Sequence, residues 1–415
     1  MNQYLCVFLA FMPALAGFSE PALGQSAPRV PAEWELHEGT WMQWPKGLES
    51  SYRENFSGII NVLQGYEPVN IIVQSASARS QAQTYLTNKG VPLTNITWHI
   101  MPYNWAWMRD NGPVWANLGG QSVVQDWVFD GWGEQEPPWD DDDAVPCQVA
   151  VIEDVPCEVY DLINERGTLE FNGVDTLITS WVCLSNRNPS VSRAEMETLF
   201  EQAFGVTQVV WLLSAPSDDM TGGHVDGISR FIDEDTVVVA RYVDQNDPDA
   251  PVYEEAATII QNAGFEVVRL DVPGNVQYNG KSMAANYMNW LVANGVVVMC
   301  GFDAPAWDNA AKVTIEGYFP ERDVFVVDTR ELWYWGGGVH CVTNDQPARP
   351  GDLNCDGTVD EADIELFVSV LISEDPYNGY YSQYPGCRHT LADCDNDGSI
   401  NGMDIQPFVG TLLAP

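Results

Sequence analysis

The stretch Trp333-Tyr-Trp-Gly-Gly-Gly-Val-His-Cys341-Val-Thr343 lies near the end of the longest region of folded character in a chain of 415 residues. Three successive glycines free the backbone for positive φ and let another group pack flush against the main chain. Beyond them, His340 and Cys341 enter an apolar Val-His-Cys-Val setting, which suits a nucleophile held at the rim of a pocket. The same pattern fits an inert cysteine buried behind a glycine turn, since most free cysteines behave as small hydrophobes.

A thiol attacks as thiolate, so a nucleophilic Cys341 calls for a partner base or a cationic substrate, with carboxylates to hold it. Three upstream stretches meet that need: Trp107-Met-Arg-Asp110-Asn-Gly-Pro113, Asn164-Glu165-Arg-Gly-Thr-Leu-Glu170 and Gly222-Gly-His224-Val-Asp226-Gly227. In the last of these, an extended backbone would point His224 and Asp226 to one side. One then shuttles protons while the other binds positive charge. Each also fits a plainer role: a local Arg109–Asp110 ion pair, or an ordinary loop histidine.

Together with Pro31-Ala-Glu-Trp-Glu-Leu-His-Glu-Gly-Thr-Trp-Met-Gln-Trp-Pro45, Phe129-Asp-Gly-Trp-Gly-Glu134 and Asn186-Arg-Asn-Pro189, these motifs stand in an order that resembles the agmatine deiminases. The bacterial, Porphyromonas-type peptidyl-arginine deiminases of the same guanidine-modifying superfamily are similar. The resemblance spans roughly residues 30 to 348. It implies a five-bladed α/β propeller, the pentein fold, built of repeated strand-strand-helix-strand units around a central acidic well. It also implies catalytic roles for Cys341, His224, Asp226, Asp110 and Glu165, the last orienting the histidine, and a site role for Asn289 in Tyr287-Met-Asn289-Trp. Two departures stand out. Arg166 occupies a position where the family carries glycine, so it is expected to neutralise Glu165 in part. Trp105 replaces a common Asp, which leaves Trp105 and Trp107 as candidate channel walls and removes a carboxylate for a distal amine.

The chemistry follows from charge. A guanidinium is resonance-stabilised and stays protonated near neutral pH, so water attacks it poorly. Asp110 and Asp226 would pair with its N–H groups, Cys341 would add to the central carbon, and His224 would protonate departing ammonia and then activate water. No cofactor is required. Three functions remain open at this stage: an agmatine deiminase releasing N-carbamoylputrescine, a secreted peptidyl-arginine deiminase making citrulline, and a non-catalytic guanidine-binding scaffold.

Periodicity alone supports an α/β region. Val69–Val73, Gln208–Leu213, Thr236–Ala240 and Gly295–Met299 read as buried strands, and Ser77–Asn88, Ser192–Phe204 and Tyr253–Ala263 carry helical spacing. This alternation does not separate an open doubly wound sheet from a barrel. The segment from Gly133 to Val145, with Asp140-Asp-Asp-Asp143, reads as an exposed loop. With 18 basic against 59 acidic residues and a net charge of -41, the chain excludes a nucleic-acid binder and is permissive for a cationic substrate.

The ends differ from this region. An apolar run over residues 4 to 17, followed by small residues up to Gly24, predicts a cleavable leader (1–24) and hence export to the periplasm, the surface or beyond. No stretch is apolar enough to span a bilayer. In an oxidising compartment Cys147 and Cys157 are candidates for a disulfide, whereas Cys183 and Cys300 sit in apolar contexts and read as buried and inert. The tail, residues 349–415, repeats one pattern: Asp352, Asn354, Asp356, Thr358, Asp360 and Asp363, then Asp393, Asp395, Asp397, Ser399, Asn401 and Asp404. Gly357 and Gly398 fall where a twelve-residue Ca²⁺ loop turns, so two Ca²⁺ ions are expected. Apolar runs follow both loops, Ile364–Ile372 and Ile405–Leu413. The pair resembles a type I dockerin, which implies a cohesin-like partner.

Overall fold

The computed structural model describes residues 27–118, 121–217, 219–354, 358–372, 389–394 and 399–413. The expected leader lies outside these residues, as do the expected ligands Asp356, Asp395 and Asp397.

The valine-rich runs form buried strands at Val69–Val73, Gln208–Leu212, Thr236–Tyr242 and Val296–Gly301. The amphipathic stretches are helices at Ala76–Asn88, Arg193–Phe204 and Ala250–Asn262. Two of their starts are written locally. Ser75 Oγ accepts from the Ala78 N–H at 3.1 Å, and Ser192 with Glu195 forms a reciprocal capping box.

One unit recurs: two antiparallel strands, then a helix that returns the chain to a third strand parallel to the second. It is built by Val114–Leu118, Gln121–Val128 and Cys157–Ile163, and again by Leu169–Phe171, Thr176–Ser180 and Gln208–Leu212. Ser229–Phe231, Thr236–Tyr242 and Glu266–Val272 repeat it, as do Leu291–Ala293, Val296–Gly301 and Asp323–Asp328. A four-stranded sheet joins the two ends of the region. In it Asn344–Pro347 pairs antiparallel with His37–Gln43, followed by Val69–Val73 and Ile96–Ile100 in parallel. Parallel neighbours need crossover helices, and these cover the sheets and bury the strands. No sheet closes on itself among the described residues. The fold is therefore α/β with separate small sheets.

The acidic run after Gly133 differs from the exposed loop expected of it. Asp140–Asp143 and Val145–Glu153 are helical, and Asp142 is fully buried, its carboxylate accepting the Asn104 N–H at 2.7 Å and the Trp105 N–H at 3.1 Å. Asp143 accepts the Phe129 N–H at 2.7 Å. Backbone donors offset the desolvation of these carboxylates, which charge density in the sequence does not reveal. Cys147 and Cys157 form a disulfide that ties this helix to the neighbouring strand.

In the tail, helices Glu361–Ile372 and Ile405–Leu412 follow the two loops. The Phe367 and Phe408 rings stack with centroids 4.0 Å apart inside a small core of their own, with Leu353, Val370 and Ala392. Among the described residues no helix is long and apolar enough to cross a membrane.

Candidate active site

The glycine triplet acts as the sequence suggested. Gly336 takes φ +114°, and a Cβ on Gly337 would fall 2.5 Å from the Trp107 ring and 3.0 Å from Cys341 Sγ. The chain then turns through His340–Val342, which sets the Cys341 thiol in the wall of a cavity of about 220 Å³. His224, Asp226 and Asn289 share that wall. Four residues from three distant segments thus meet at one surface.

Asn289 grips the cysteine from two directions. Its Nδ2 donates to Cys341 Sγ at 3.2 Å, and its Oδ1 accepts the Cys341 N–H at 3.2 Å. The same Nδ2 lies 2.9 Å from Asp226 Oδ2, which is 3.6 Å from the thiol. Burial raises the Asp226 carboxyl, but the His340 hydrogen bond at 2.8 Å reverses this and holds it below the usual range. The Cys341 thiol is driven the other way, well above its usual range, by burial and then by Asp226 and Asp110. In the resting protein Cys341 is therefore a thiol beside a carboxylate.

His224 immediately precedes a single turn, Val225–Gly227, and Asp226 lies within it rather than on an extended strand, yet both reach the cavity wall. Across from His224, Asp110 sits in the short helix Met108–Asn111. Trp132, at the left-handed φ of 59°, brings its indole N–H to Asp110 Oδ2 at 2.9 Å, which gives Phe129-Asp-Gly-Trp-Gly-Glu134 its structural purpose. The other carboxylate oxygen, Oδ1, faces His224 Nδ1 at 3.5 Å, and both atoms are buried without a hydrogen bond. On its far side His224 Nε2 meets Glu165 Oε2 at 3.0 Å. Burial alone would lower the imidazole, but Asp110, Cys183 and Glu165 hold it well above its usual range. Asp110 is pushed up to about 7, chiefly by burial and further by Asp226 and Glu165. Gly167 makes the pair possible, since a Cβ there would come within 2.4 Å of His224 Nδ1 and 2.7 Å of Asp110 Oδ1.

Two expectations are corrected. Arg166 does not neutralise Glu165. Its guanidinium pairs with Asp345 at 2.7 and 2.9 Å, and Arg187 meets Glu165 instead, with Nε–Oε1 at 2.8 Å. The larger side chain fits because it is aimed away, at a buried carboxylate it shares with Arg109. Trp105 and Trp107 do not line the cavity. The Trp105 indole N–H is taken by the Glu136 and Pro138 carbonyls at 3.0 and 3.2 Å, while Trp107 packs beside Tyr52 behind Gly337. The walls are formed instead by Met220, Tyr253, Lys281, Met283, Trp333 and Tyr334.

Three supporting residues carried no role in the sequence reading, although the quoted motifs contained each of them. They are Arg187, His340 and Glu33. His340 spans Asp226 and Glu33, with Nε2–Oε2 at 2.6 Å, and Glu33 also meets Arg230 at 2.7 Å. A chain of close polar contacts therefore runs from Arg230 through Glu33 and His340 to Asp226.

A family model described as Porphyromonas-type peptidyl-arginine deiminase matches residues 29–347. The agmatine deiminase of Ectopseudomonas mendocina is 30% identical over 363 residues, covering 78% of this chain and 96% of its own. A putative agmatine deiminase of Streptomyces coelicolor is 34% identical over 346 residues, covering 77% and 98%. The solved structure of the agmatine deiminase of Enterococcus faecalis superposes with a TM-score of 0.71 at 26% identity, over 80% of this chain and all of that one.

Proposed function

The chain belongs to the Porphyromonas-type peptidyl-arginine deiminase family, enzymes of the α/β pentein fold that hydrolyse guanidino groups, and from that premise we propose that it deiminates agmatine through a covalent intermediate on Cys341. The five sheets of three or four strands are read as the blades of a propeller around the site. The guanidinium enters between Asp110 and Asp226. One positive charge about 4 Å from the thiol contributes about 4 kcal/mol toward thiolate at an effective dielectric near 20, opposing the burial and the carboxylates that hold Cys341 as a thiol. The substrate thus activates its own nucleophile. The thiol proton leaves to solvent as sulfur adds to the guanidinium carbon, and His224, charged at rest, gives its proton to the departing ammonia. Neutral His224 then takes a proton from water, whose oxygen attacks the same carbon. The C–S bond breaks to release N-carbamoylputrescine and return the thiol.

The observation that carries this reading is the pair of buried polar atoms, Asp110 Oδ1 and His224 Nδ1, that lack hydrogen bonds beside the Cys341 cavity. A guanidinium N–H at Asp110 and a leaving nitrogen at His224 satisfy both. Ammonia release with agmatine, free arginine and an arginine-containing peptide, measured side by side, tests it. Agmatine is expected to give the highest kcat/KM, and no ammonia from any of the three would refute the proposal.

Asp110 provides a second check. Only its ionised form binds a cation, and burial places that ionisation at about 7. Activity should therefore rise with pH. We expect kcat/KM to fall by about tenfold per pH unit on the acid side and to level above it. Asp110→Asn should lose that limb and weaken capture by about 1.5–3 kcal/mol. An unaltered acid limb in the variant would remove Asp110 from the site.

One observation favours a second reading, arginine in a peptide. Lys281, with Nζ 4.4 Å from the Tyr334 ring, places a cation in the cavity wall where agmatine's distal ammonium would be opposed and an α-carboxylate welcomed. The same substrate comparison decides between them.

The tail is read as a dockerin-like Ca²⁺ module, and the leader as an export signal. The donors present fit Ca²⁺: Asp352, Asn354, Thr358, Asp360 and Asp363 in the first loop, and Asp393, Ser399, Asn401 and Asp404 in the second, all offer hard oxygen. Asp363 and Asp404 are fully buried, and the Leu353, Asn354 and Asp360 N–H groups converge on Asp363 within 3.0 Å, which shapes a closed loop. Removing Ca²⁺ is expected to unfold this small core while deiminase activity persists, because metal binding is then folding free energy for the tail alone. Calorimetry and ammonia release in a selective Ca²⁺ chelator check it; activity lost in step with the ion would contradict it. A cohesin-like partner would then place the enzyme on a surface or complex.

A further inference from the structure

Behind His224, on the side away from Asp110, lies a group that the deiminase mechanism leaves unexplained. Cys183, second residue from the end of the first turn of helix Trp181–Arg187 and read from sequence as inert, places Sγ 3.4 Å from Glu165 Oε2. That oxygen is 3.0 Å from His224 Nε2, and one ligand atom from each of the three residues falls within 4.8 Å of the others. The three come from separate segments and all are buried. A tetrahedral Zn²⁺ with bonds of roughly 2.0–2.3 Å holds its N, O and S ligands about 3.3–3.7 Å apart, against 3.4 Å for sulfur to oxygen and 3.0 Å for nitrogen to oxygen here. The Thr221 carbonyl, which accepts from Arg187 at 2.9 Å, is a further oxygen 3.8 Å from Cys183 Sγ.

We propose that Glu165, Cys183 and His224 form a regulatory site for Zn²⁺ or a similar thiophilic divalent cation, whose occupancy shuts the deiminase down. Thiolate, imidazole and carboxylate together select such an ion over Ca²⁺ or Mg²⁺. Binding replaces the thiol proton of Cys183 and the Nε2 proton of His224 by the metal, so two protons leave as two positive charges enter. Net charge is conserved. Arg187, 2.8 Å from the other oxygen of Glu165, and Asp110 on the opposite face therefore see no change in total charge between them. With Nε2 tied to metal, His224 keeps its Nδ1 proton in a neutral ring and can no longer cycle between acid and base. Because the ligand atoms lie behind the imidazole, inhibition should develop slowly and without competition from substrate.

The loss of activity rests on the deiminase reading, whereas metal capture does not, and the two are measured separately. Capture is read with Co²⁺ on the full-length Cys341→Ser protein in Ca²⁺-containing buffer, which removes the catalytic thiol as a competing ligand. One equivalent with a thiolate-to-cobalt charge-transfer band and tetrahedral d–d absorption is expected, and the band should vanish in Cys341→Ser/Cys183→Ser. A band that survives the second substitution, or none in the first, overturns the site. For inhibition, Zn²⁺ is added to the wild-type enzyme and reversed with a Zn²⁺-selective chelator. Cys183→Ser is expected to raise the inhibitory concentration at least thirtyfold. Equal sensitivity of the two proteins would place inhibition at Cys341 and refute the regulatory role. If Cys183→Ser is itself inactive, the Co²⁺ comparison alone decides.

Discussion

Cys341→Ser should lose turnover by a factor on the order of 10⁴ or more while keeping its fold and its substrate affinity. Serine is nearly isosteric, so Asn289 can still donate to the side chain and Asp226 still lies beside it. The failure is electronic. A hydroxyl ionises far less readily than a thiol, and this position penalises any anion through burial and through Asp226 and Asp110. The substrate's charge, about 4 kcal/mol at this range, favours either anion equally, and the hydroxyl starts from a far higher pKa than the thiol. Steady-state ammonia release with a parallel thermal melt checks the prediction. Activity within a hundredfold of wild type would remove Cys341 as the nucleophile.

His224→Gln carries the second largest effect. A positioned acid and base contributes about 10²–10⁴ in rate, and His224 serves in both steps, so kcat is expected to fall within that range with KM nearly unchanged. Glutamine can still reach toward Glu165 and fill the space beside Gly167, but it cannot deliver a proton to ammonia. The effect is large because three groups converge on the ring: Glu165 at 3.0 Å, Asp110 at 3.5 Å and the neighbouring Cys183 keep it charged at rest. A kcat within tenfold of wild type would assign proton transfer elsewhere.

Much of this was legible in the sequence, and the reasons differ by residue. Strands such as Val296–Gly301 are read easily because continuous apolar runs have few alternatives once flanking turns are marked. Cys341, His224, Asp226, Asp110, Glu165 and Asn289 were singled out through motifs, and the structure brings them together. The partners of Glu165 were not legible. Arg166 is adjacent in sequence, yet its side chain leaves for Asp345, while Arg187 arrives from a helix that follows the next two strands. Adjacency along a chain says little about which way a long side chain turns. The His340–Glu33 contact spans 307 positions and depends on Asn344–Pro347 pairing with His37–Gln43, a closure that local pattern cannot encode. Cys183 is buried as its context suggests, but what faces it was hidden for a related reason. An apolar sequence context describes its neighbours on the helix, not the carboxylate and imidazole facing it across the core.

The central claim, covalent catalysis by Cys341, is tested most directly by acid-quenching the wild-type enzyme during turnover of agmatine and mapping its peptides by mass spectrometry. The account predicts an amidino adduct, agmatine less ammonia, on the peptide bearing Cys341, absent from Cys341→Ser and lost on further incubation before the quench. Steady ammonia release with Cys341 unmodified at every quench time, or with the adduct on another residue, would contradict it.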